Sequence, residues 1–334
     1  MRSLREVSAT TDTTEDLADW VEISSFFRAD RNISKEDLAR SLVREGGDRS
    51  EEAARRKATA AFDELERRGT EIGHSISTDP LAAYPFEIDG DVLRNRHDPF
   101  SGKNVGLLYV FLLAITRASM ESQSRRLEQI DPTLLFEKIC GEALCQFWGG
   151  KSPLSDVLIT GTSNAATPNS RRRFPALVGT LTTHLGEGGG WKKGARSPNA
   201  GDGGLDIAVW RRFHDRRPGG LVGFAQCKTG DNWKSHLGRR NPRSFCTAYF
   251  RKSLVLAPLP IYMVPCRVCL EDWESSMLQH SGLLFDRCRI ATFATTLTTA
   301  VINDCLKWTK AAIERELQEL TASQIITSFS KASK

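Results

Sequence analysis

The sequence predicts an α/β protein: a mixed sheet flanked by helices, with a mainly helical N-terminal domain ahead of it. Three observations carry that expectation. Residues 205–210 (LDIAVW) and 221–227 (LVGFAQC) are β-branched and apolar, and the stretch between them is polar and ends in Pro218-Gly219-Gly220, which reads as two strands joined by a turn-rich loop. Around them, apolar residues recur at helical spacing, as in Phe174, Leu177, Val178, Leu181 and Leu185. The first hundred residues show helix starts marked by Ser34 and Ser50 instead of long β-rich runs.

Residues 1–13 are expected to fray. Residues 14–27 form a first helix with Leu17, Trp20, Val21 and Phe27 near one face. Ser34 opens a second, with Asp37 as its capping-box partner and Gly46-Gly47 ending it. Ser50 caps a third over 51–68, stopped at Gly69. Residues 84–95 place Asp89-Gly90 between extended segments, a hairpin signal. Three helices and a hairpin make residues 1–100 a winged-helix-like accessory module. Its acidic balance, 15 Lys/Arg against 22 Asp/Glu, opposes phosphate contact and favours sensing or partner docking over reading DNA. The polar stretch 95–103, with Pro99 and Gly102, is the expected boundary to a second domain over 101–334.

That domain starts with a long helix over 105–129, apolar first and charged later. Residues 132–147 are a helix carrying Glu137 at the edge of its buried stripe of Phe136, Ile139, Ala143 and Leu144. There a carboxylate can face a cleft, or simply favour the helix dipole; Glu142 is the fallback. Helix 175–186 packs on the sheet. Residues 187–200 (EGGGWKKGARSPNA) form a glycine-rich basic loop, either a connector or a substrate contact. A helix over 243–256, strands over 260–268 and 283–292 with a helix over 271–280 between them, and a terminal helix over 298–320 complete the reading.

Side chains alternate along a strand, so Gln226 and Lys228 share one face and Cys227 takes the other. If the two strands pair, Asp206 lies beside the Gln/Lys face. A carboxylate, an amide oxygen and an ammonium then meet at a sheet edge, where Gly203 and Gly204 leave room for a ligand. Oxygen donors of this kind suit Mg²⁺, and a nearby lysine can orient or deprotonate water and stabilise charge on a phosphate.

Asp206 followed by Gln226-Cys227-Lys228, within GDGGLDI and AQCKTG, resembles the PD-(D/E)xK nuclease superfamily in its Gln form, and in particular the Mrr-like restriction endonuclease domain. Residues 135–139 (LFEKI) resemble the first helix of that family, and the likeness covers residues 132–290. It implies a restriction-endonuclease-like mixed sheet and a Mg²⁺-dependent endonuclease, with Mn²⁺ able to substitute. The implied reaction is hydrolysis of DNA phosphodiester bonds, in the cytoplasm, in prokaryotic restriction or phage defence. Carried over residue by residue, Asp206 binds the metal directly and Gln226 supplies an amide oxygen. The carbonyl of Cys227 adds a ligand, Glu137 holds a water at the metal, and Lys228 positions the nucleophile. The chain departs from the family in two respects: Gln226 stands where an acid is commoner, and about seventy residues separate Glu137 from Asp206, more than a compact member needs. An RNA or nucleotide-signal nuclease, or a catalytically dead nucleic-acid binder, are the alternatives; joint retention of Asp206, Gln226 and Lys228 argues against the last.

Composition agrees with a soluble globular chain of two domains: 334 residues, 40% hydrophobic and 26% charged. No stretch reaches the roughly 18 apolar residues of a membrane span, no apolar signal core opens the chain, and the eight scattered cysteines fit reduced thiols. The net charge of +5 is unevenly spread, for residues 151–260 hold 18 basic and 6 acidic side chains. Such an excess around a hydrolytic motif points to a polyanion partner, DNA first. A partner protein or trigger would act through the N-terminal domain; assembly of identical chains is left open. Gly150-Lys151-Ser152 lacks the rest of a P-loop, Cys266 and Cys269 form only half of a zinc pattern, His184, His214, His236 and His280 have no partner pattern, and Asp202 reads as a turn residue.

Overall fold

The computed structural model describes residues 12–44, 50–73, 79–118, 125–160, 170–198, 203–230, 232–238 and 241–332. The expectations for residues 1–11, Gly46-Gly47 and Asp202 fall outside them. The chain forms two compact units, Met1–Pro132 with Ile302–Lys334, and Thr133–Val301. The expected boundary at 95–103 therefore falls inside the first unit, which also takes back the C-terminal helix.

In the first unit, α1 (Thr14–Ser24) starts from a capping box between Thr13 and Asp16. Strand β1 (Asn32–Ser34) leads into α2 (Lys35–Arg44), where the Ser34 and Asp37 amides and side chains bond reciprocally at 3.0 and 3.1 Å, as expected. Helix α3 (Glu51–Gly73) runs through Gly69 rather than stopping there. Burial of Ile72 on the same stripe as Leu65 offsets the roughly 1 kcal/mol that a mid-helix glycine costs. Strands β2 (Glu87–Asp89) and β3 (Val92–Arg94) form the expected hairpin, and β1 joins it in a three-stranded antiparallel sheet of order β1-β3-β2. Arg68 is fully buried and bonds Asp19 at 2.7 Å, Glu22 at 2.9 Å and Glu64 at 3.0 Å, while Tyr84 and Tyr109 donate to Glu22. Such a cluster ties α1 to α3; removing its buried cation would strand buried carboxylates, at about 3–5 kcal/mol. Helix α4 (Leu107–Arg117) is shorter than the helix expected over 105–129. Its apolar run ends at Ile115, Ala118 is extended, and Leu127 pairs with Ile130 across a turn whose central residues Glu128 and Gln129 have positive φ.

The second unit begins with α5 (Pro132–Phe147), at the bounds read from the sequence. Strand β4 (Ser155–Ile159) was not expected, because a short edge strand with polar residues at its start carries little apolar signal. Helix α6 (Ser170–Leu185) precedes β5 (Ile207–Arg211) and β6 (Leu221–Cys227). Helix α7 (Pro242–Tyr249) stops short of the expected residue 256, because Phe250 turns extended to bridge Trp191. Then come β7 (Leu259–Met263), α8 (Leu270–His280) and β8 (Leu283–Phe285). The strand expected over 283–292 is interrupted by Asp286, whose carboxylate accepts from the Arg289 amide at 3.1 Å and caps α9 (Arg287–Phe293). Helix α10 (Thr299–Ala332) closes the chain.

The five strands form one mixed sheet, order β4-β5-β6-β7-β8, antiparallel from β4 to β6 and parallel from β6 to β8. On one face Ala208, Trp210, Val222 and Phe224 pack against Phe174, Val178 and Leu181 of α6 and Cys246 of α7. Each such apolar side chain fully buried contributes about 1.5–3 kcal/mol. On the other face lie α5 and α9: Phe147 stacks edge-on with Phe285 and Phe293 at 5.2 Å, and Gly141 lies against Ile159. The α/β class is thus observed, with helices on both faces of a mixed sheet. Among the described residues no helix is long and apolar enough to cross a membrane.

Candidate active site

Pairing of Ile207 with Ala225 places Asp206 beside Gln226 at the open end of the β5–β6 pair, away from its connecting loop. Hydrogen bonds fix this corner. The Asp206 amide donates to Ala225 O at 3.1 Å, and the Asp206 carboxylate accepts from the Cys227 amide at 2.8 Å. Gln226 Nε2 donates to Gly204 O at 2.8 Å. On the β4 side the Thr160 amide donates to Asp206 O at 2.8 Å and its hydroxyl donates to Leu205 O. The Lys228 amide donates to Met263 O at 3.0 Å, carrying the β6–β7 pairing past the end of β6. Asp206, Gln226 and Glu137 are buried; Lys228 is half-buried and forms no ion pair among the described residues.

Alternation along β6 divides the motif between two faces. Gln226 follows Val222 and Phe224 and lines a cleft of 470 Å³ with Gly203, Gly204, Asn241, Phe245 and Tyr249. Gly203 has φ +64°, and a Cβ there would lie 3.0 Å from the Phe174 ring and 3.1 Å from that of Phe245, so glycine is required where the turn meets the cleft.

Cys227 takes the other face and meets α5. Its thiol neighbours that of Cys140, one turn along α5 from Glu137. Burial pushes both thiols above the ordinary range, and the negative charges of Glu137 and Asp206 push them further. Glu142, the fallback, is engaged elsewhere, accepting from Gln146 at 2.9 Å and from Thr296.

The structure therefore brings Asp206, Gln226 and Cys227 together at the end of β6, with Lys228 next in the chain, while Glu137 is buried on α5, one turn from Cys140. Sequence reasoning missed Cys140, Thr160 and the α7 wall of the cleft; only Cys140 carried a signal, at one helical turn from Glu137. Among the described residues, no three His, Cys, Asp or Glu side chains form a metal-binding group. A cation here would need the Gln226 amide oxygen and a main-chain carbonyl beside the two carboxylates, a hard-oxygen set whose chemistry fits Mg²⁺.

The other motifs are structural. Lys151 pairs with Asp156 at 3.5 Å, Cys269 Sγ accepts from the Asp272 amide at 3.4 Å as the N-cap of α8, and His184 stacks on Trp210 at 5.1 Å. No family model matches the chain, and neither does any curated protein or solved structure.

Proposed function

We propose that the protein is a Mg²⁺-dependent endonuclease that hydrolyses DNA phosphodiester bonds from a restriction-endonuclease-like sheet, with Mn²⁺ able to substitute. The observation that carries the reading is the β5–β6 register that sets Asp206 beside Gln226, with the Asp206 carboxylate held at 2.8 Å by the Cys227 amide and Lys228 next in the chain. Bound Mg²⁺ would polarise the phosphate and lower the pKa of a water. Asp206 is oriented for this by the Cys227 amide. Gln226 spends its amide N–H on Gly204, which leaves Oε1 as its ligand atom. The Cys227 carbonyl would add a ligand, Glu137 would hold the attacking water, and Lys228 would position it. A cytoplasmic role in restriction or phage defence follows from the family resemblance alone. The first unit, with its α1-β1-α2-α3-β2-β3 order, is assigned to sensing or partner docking because its first hundred residues are net acidic.

The test is incubation of the purified chain with plasmid, single-stranded DNA and RNA, each with Mg²⁺, Mn²⁺ or EDTA. Cleavage of DNA with Mg²⁺ and none with EDTA is expected. Cleavage of RNA alone would change the substrate class, and no metal-dependent cleavage of any of them would overturn the reading.

A further inference from the structure

Beside the candidate site, the glycine-rich loop and the end of α7 are laced into one surface. The Lys192 amide donates to Tyr249 O at 2.9 Å, the Arg251 amide to Gly190 O at 2.9 Å, and the Lys252 amide to Gly188 O at 2.9 Å. Lys192 Nζ reaches Thr247 O at 3.0 Å, and the Trp191 ring stacks on Tyr249 at 5.9 Å and 11°. Main-chain bonding of this kind gives the loop a fixed position instead of leaving it a tether. It also gathers charge. Lys193, Arg196, Arg243, Arg251 and Lys252 are all exposed, and none forms an ion pair among the described residues. Gly189 lies beneath two of them: a Cβ there would sit 3.3 Å from Lys252 Cγ and 3.4 Å from Arg251 Nε. The acid lining this cleft of 740 Å³ is Glu187. Its two carboxylate oxygens accept from the main-chain amides of Gly219 (3.1 Å) and Val255 (2.8 Å), and it forms no ion pair with Arg251 or Lys252 among the described residues.

We infer that this surface, from Arg243 along α7 to the loop at Gly188–Lys193, holds the phosphodiester backbone of the nucleic acid that enters the Gln226 cleft. The inference rests on the nuclease reading for its occupant. Its position supports it, because Pro242 and Ser244 on either side of Arg243, together with Tyr249, line the Gln226 cleft, while Arg251 and Lys252 line the neighbouring one. The eight residues of α7 span about 12 Å, a length over which a duplex carries about seven phosphate charges. Cations carried on a main chain fixed in this way release several counterions on binding and leave a measurable salt dependence.

The test measures binding of the full chain in EDTA to a labelled DNA duplex and to an RNA duplex, by fluorescence anisotropy across a sodium chloride series. A fourfold variant, Lys193→Glu, Arg243→Glu, Arg251→Glu and Lys252→Glu, is compared with the same positions changed to Gln and with Arg55→Glu/Arg56→Glu on the first unit. Circular dichroism verifies that each variant is folded. Both fourfold variants should bind at least about tenfold more weakly, with the slope of log affinity against log salt shallower by about two to four. The arm on the first unit should stay within about twofold of the parent, a change too small to count as a lost phosphate contact. The two duplexes separate DNA from RNA as the source of the backbone. Fourfold variants that bind like the parent, or a parent without affinity for either duplex, overturn the inference. So does a parent that binds anionic phospholipid vesicles through this patch in preference to nucleic acid. A chain that binds through the patch but never cuts refutes the nuclease reading and keeps this one; a chain that cuts without the patch does the reverse.

Discussion

Cys227 donates its backbone amide to the Asp206 carboxylate across 2.8 Å, so the two halves of the motif are joined by a bond that also sets the carboxylate's direction. Replacing Asp206 with Ala removes a charge and strands a partly buried amide, at about 1–3 kcal/mol. Asp206→Asn keeps an oxygen for that amide and removes only the charge. Cleavage should fall on the order of 10²-fold or more in both, while Asn holds the melting temperature closer to the parent's. Lys228→Ala should lose cleavage to a similar extent and stay folded. Parental cleavage rates in Asp206→Asn or Lys228→Ala would remove the proposed site.

Gln226 bonds Gly204 O through Nε2 at 2.8 Å, and a carboxylate cannot reproduce that donation. Gln226→Glu should therefore destabilise the metal-free chain by about 1–3 kcal/mol, by facing a carboxylate with a carbonyl. Mg²⁺ should restore the melting temperature and support cleavage at lower concentration, since one negative charge has been added beside the cation. Gln226→Ala should raise the Mg²⁺ requirement, with Mn²⁺ rescuing part of the activity. Metal titrations of cleavage beside thermal unfolding separate a ligand from a strand residue; an unchanged Mg²⁺ titration in Gln226→Ala makes it the latter.

Local chemistry made much of this legible. The bounds of β6 follow from a run that is apolar except at Gln226, and those of α5 from its stripe and from Pro132 at the first helical position. The Ser34–Asp37 capping box is a reciprocal pair of side-chain and amide bonds that the residue types announce. What escaped depends on long-range partners. Nothing near Phe250 signals that it bridges Trp191 and ends α7, and β4 draws its identity from β5. The Asp286 cap could have been read, since an Asp before a helical run is an N-cap signal. Asp206, Gln226 and the turning of Cys227 to the opposite face were legible as a motif, but the α7 wall of the Gln226 cleft and the Cys140 neighbour of Cys227 were not. Both come from helices that lie far from the motif in sequence.

The buried thiols give the fold a pH dependence with a definite sign. Burial raises Cys246 from 9.0 to about 12, and Cys140, Cys145, Cys227 and Cys305 are raised as well, in each case chiefly by loss of solvent. An unfolded thiol ionises near its ordinary pKa, about 8.5, whereas the folded chain keeps these protons. Above that pH the unfolded state binds fewer protons than the native one, so stability declines as pH rises. Urea midpoints should fall progressively from pH 9 to 10.5, and iodoacetamide at pH 8 should label Cys140, Cys246 and Cys305 slowly in the native chain. A midpoint that holds constant over this range would contradict the assignment, as would rapid labelling of Cys246 in folded protein.

The C-terminal helix belongs with the first unit, and Trp308 is the residue that tests this. Its ring is almost wholly buried, meets Phe111 of α4 edge-on at 5.5 Å and 75°, and donates Nε1 to Arg125 O at 2.9 Å. Helix α4 is apolar nearly all round, so it depends on such partners to stay out of water. Trp308→Ala should cost about 3–5 kcal/mol. Trp308→Phe, which keeps an aromatic body and drops the N–H, should cost less, although the vacated ring space and the lost bond to Arg125 O still count against it. A chain ending at Val301 should lose hydrogen-exchange protection first in α4 and then in α1, while β5 and β6, whose core lies within Thr133–Val301, keep theirs. If residues 101–334 were instead one independent domain, both changes would strip protection from the five-stranded sheet and leave α1 to α3 as they were. Hydrogen exchange read by mass spectrometry on the truncated chain decides between these divisions: loss concentrated in β5 and β6 would overturn the one proposed here.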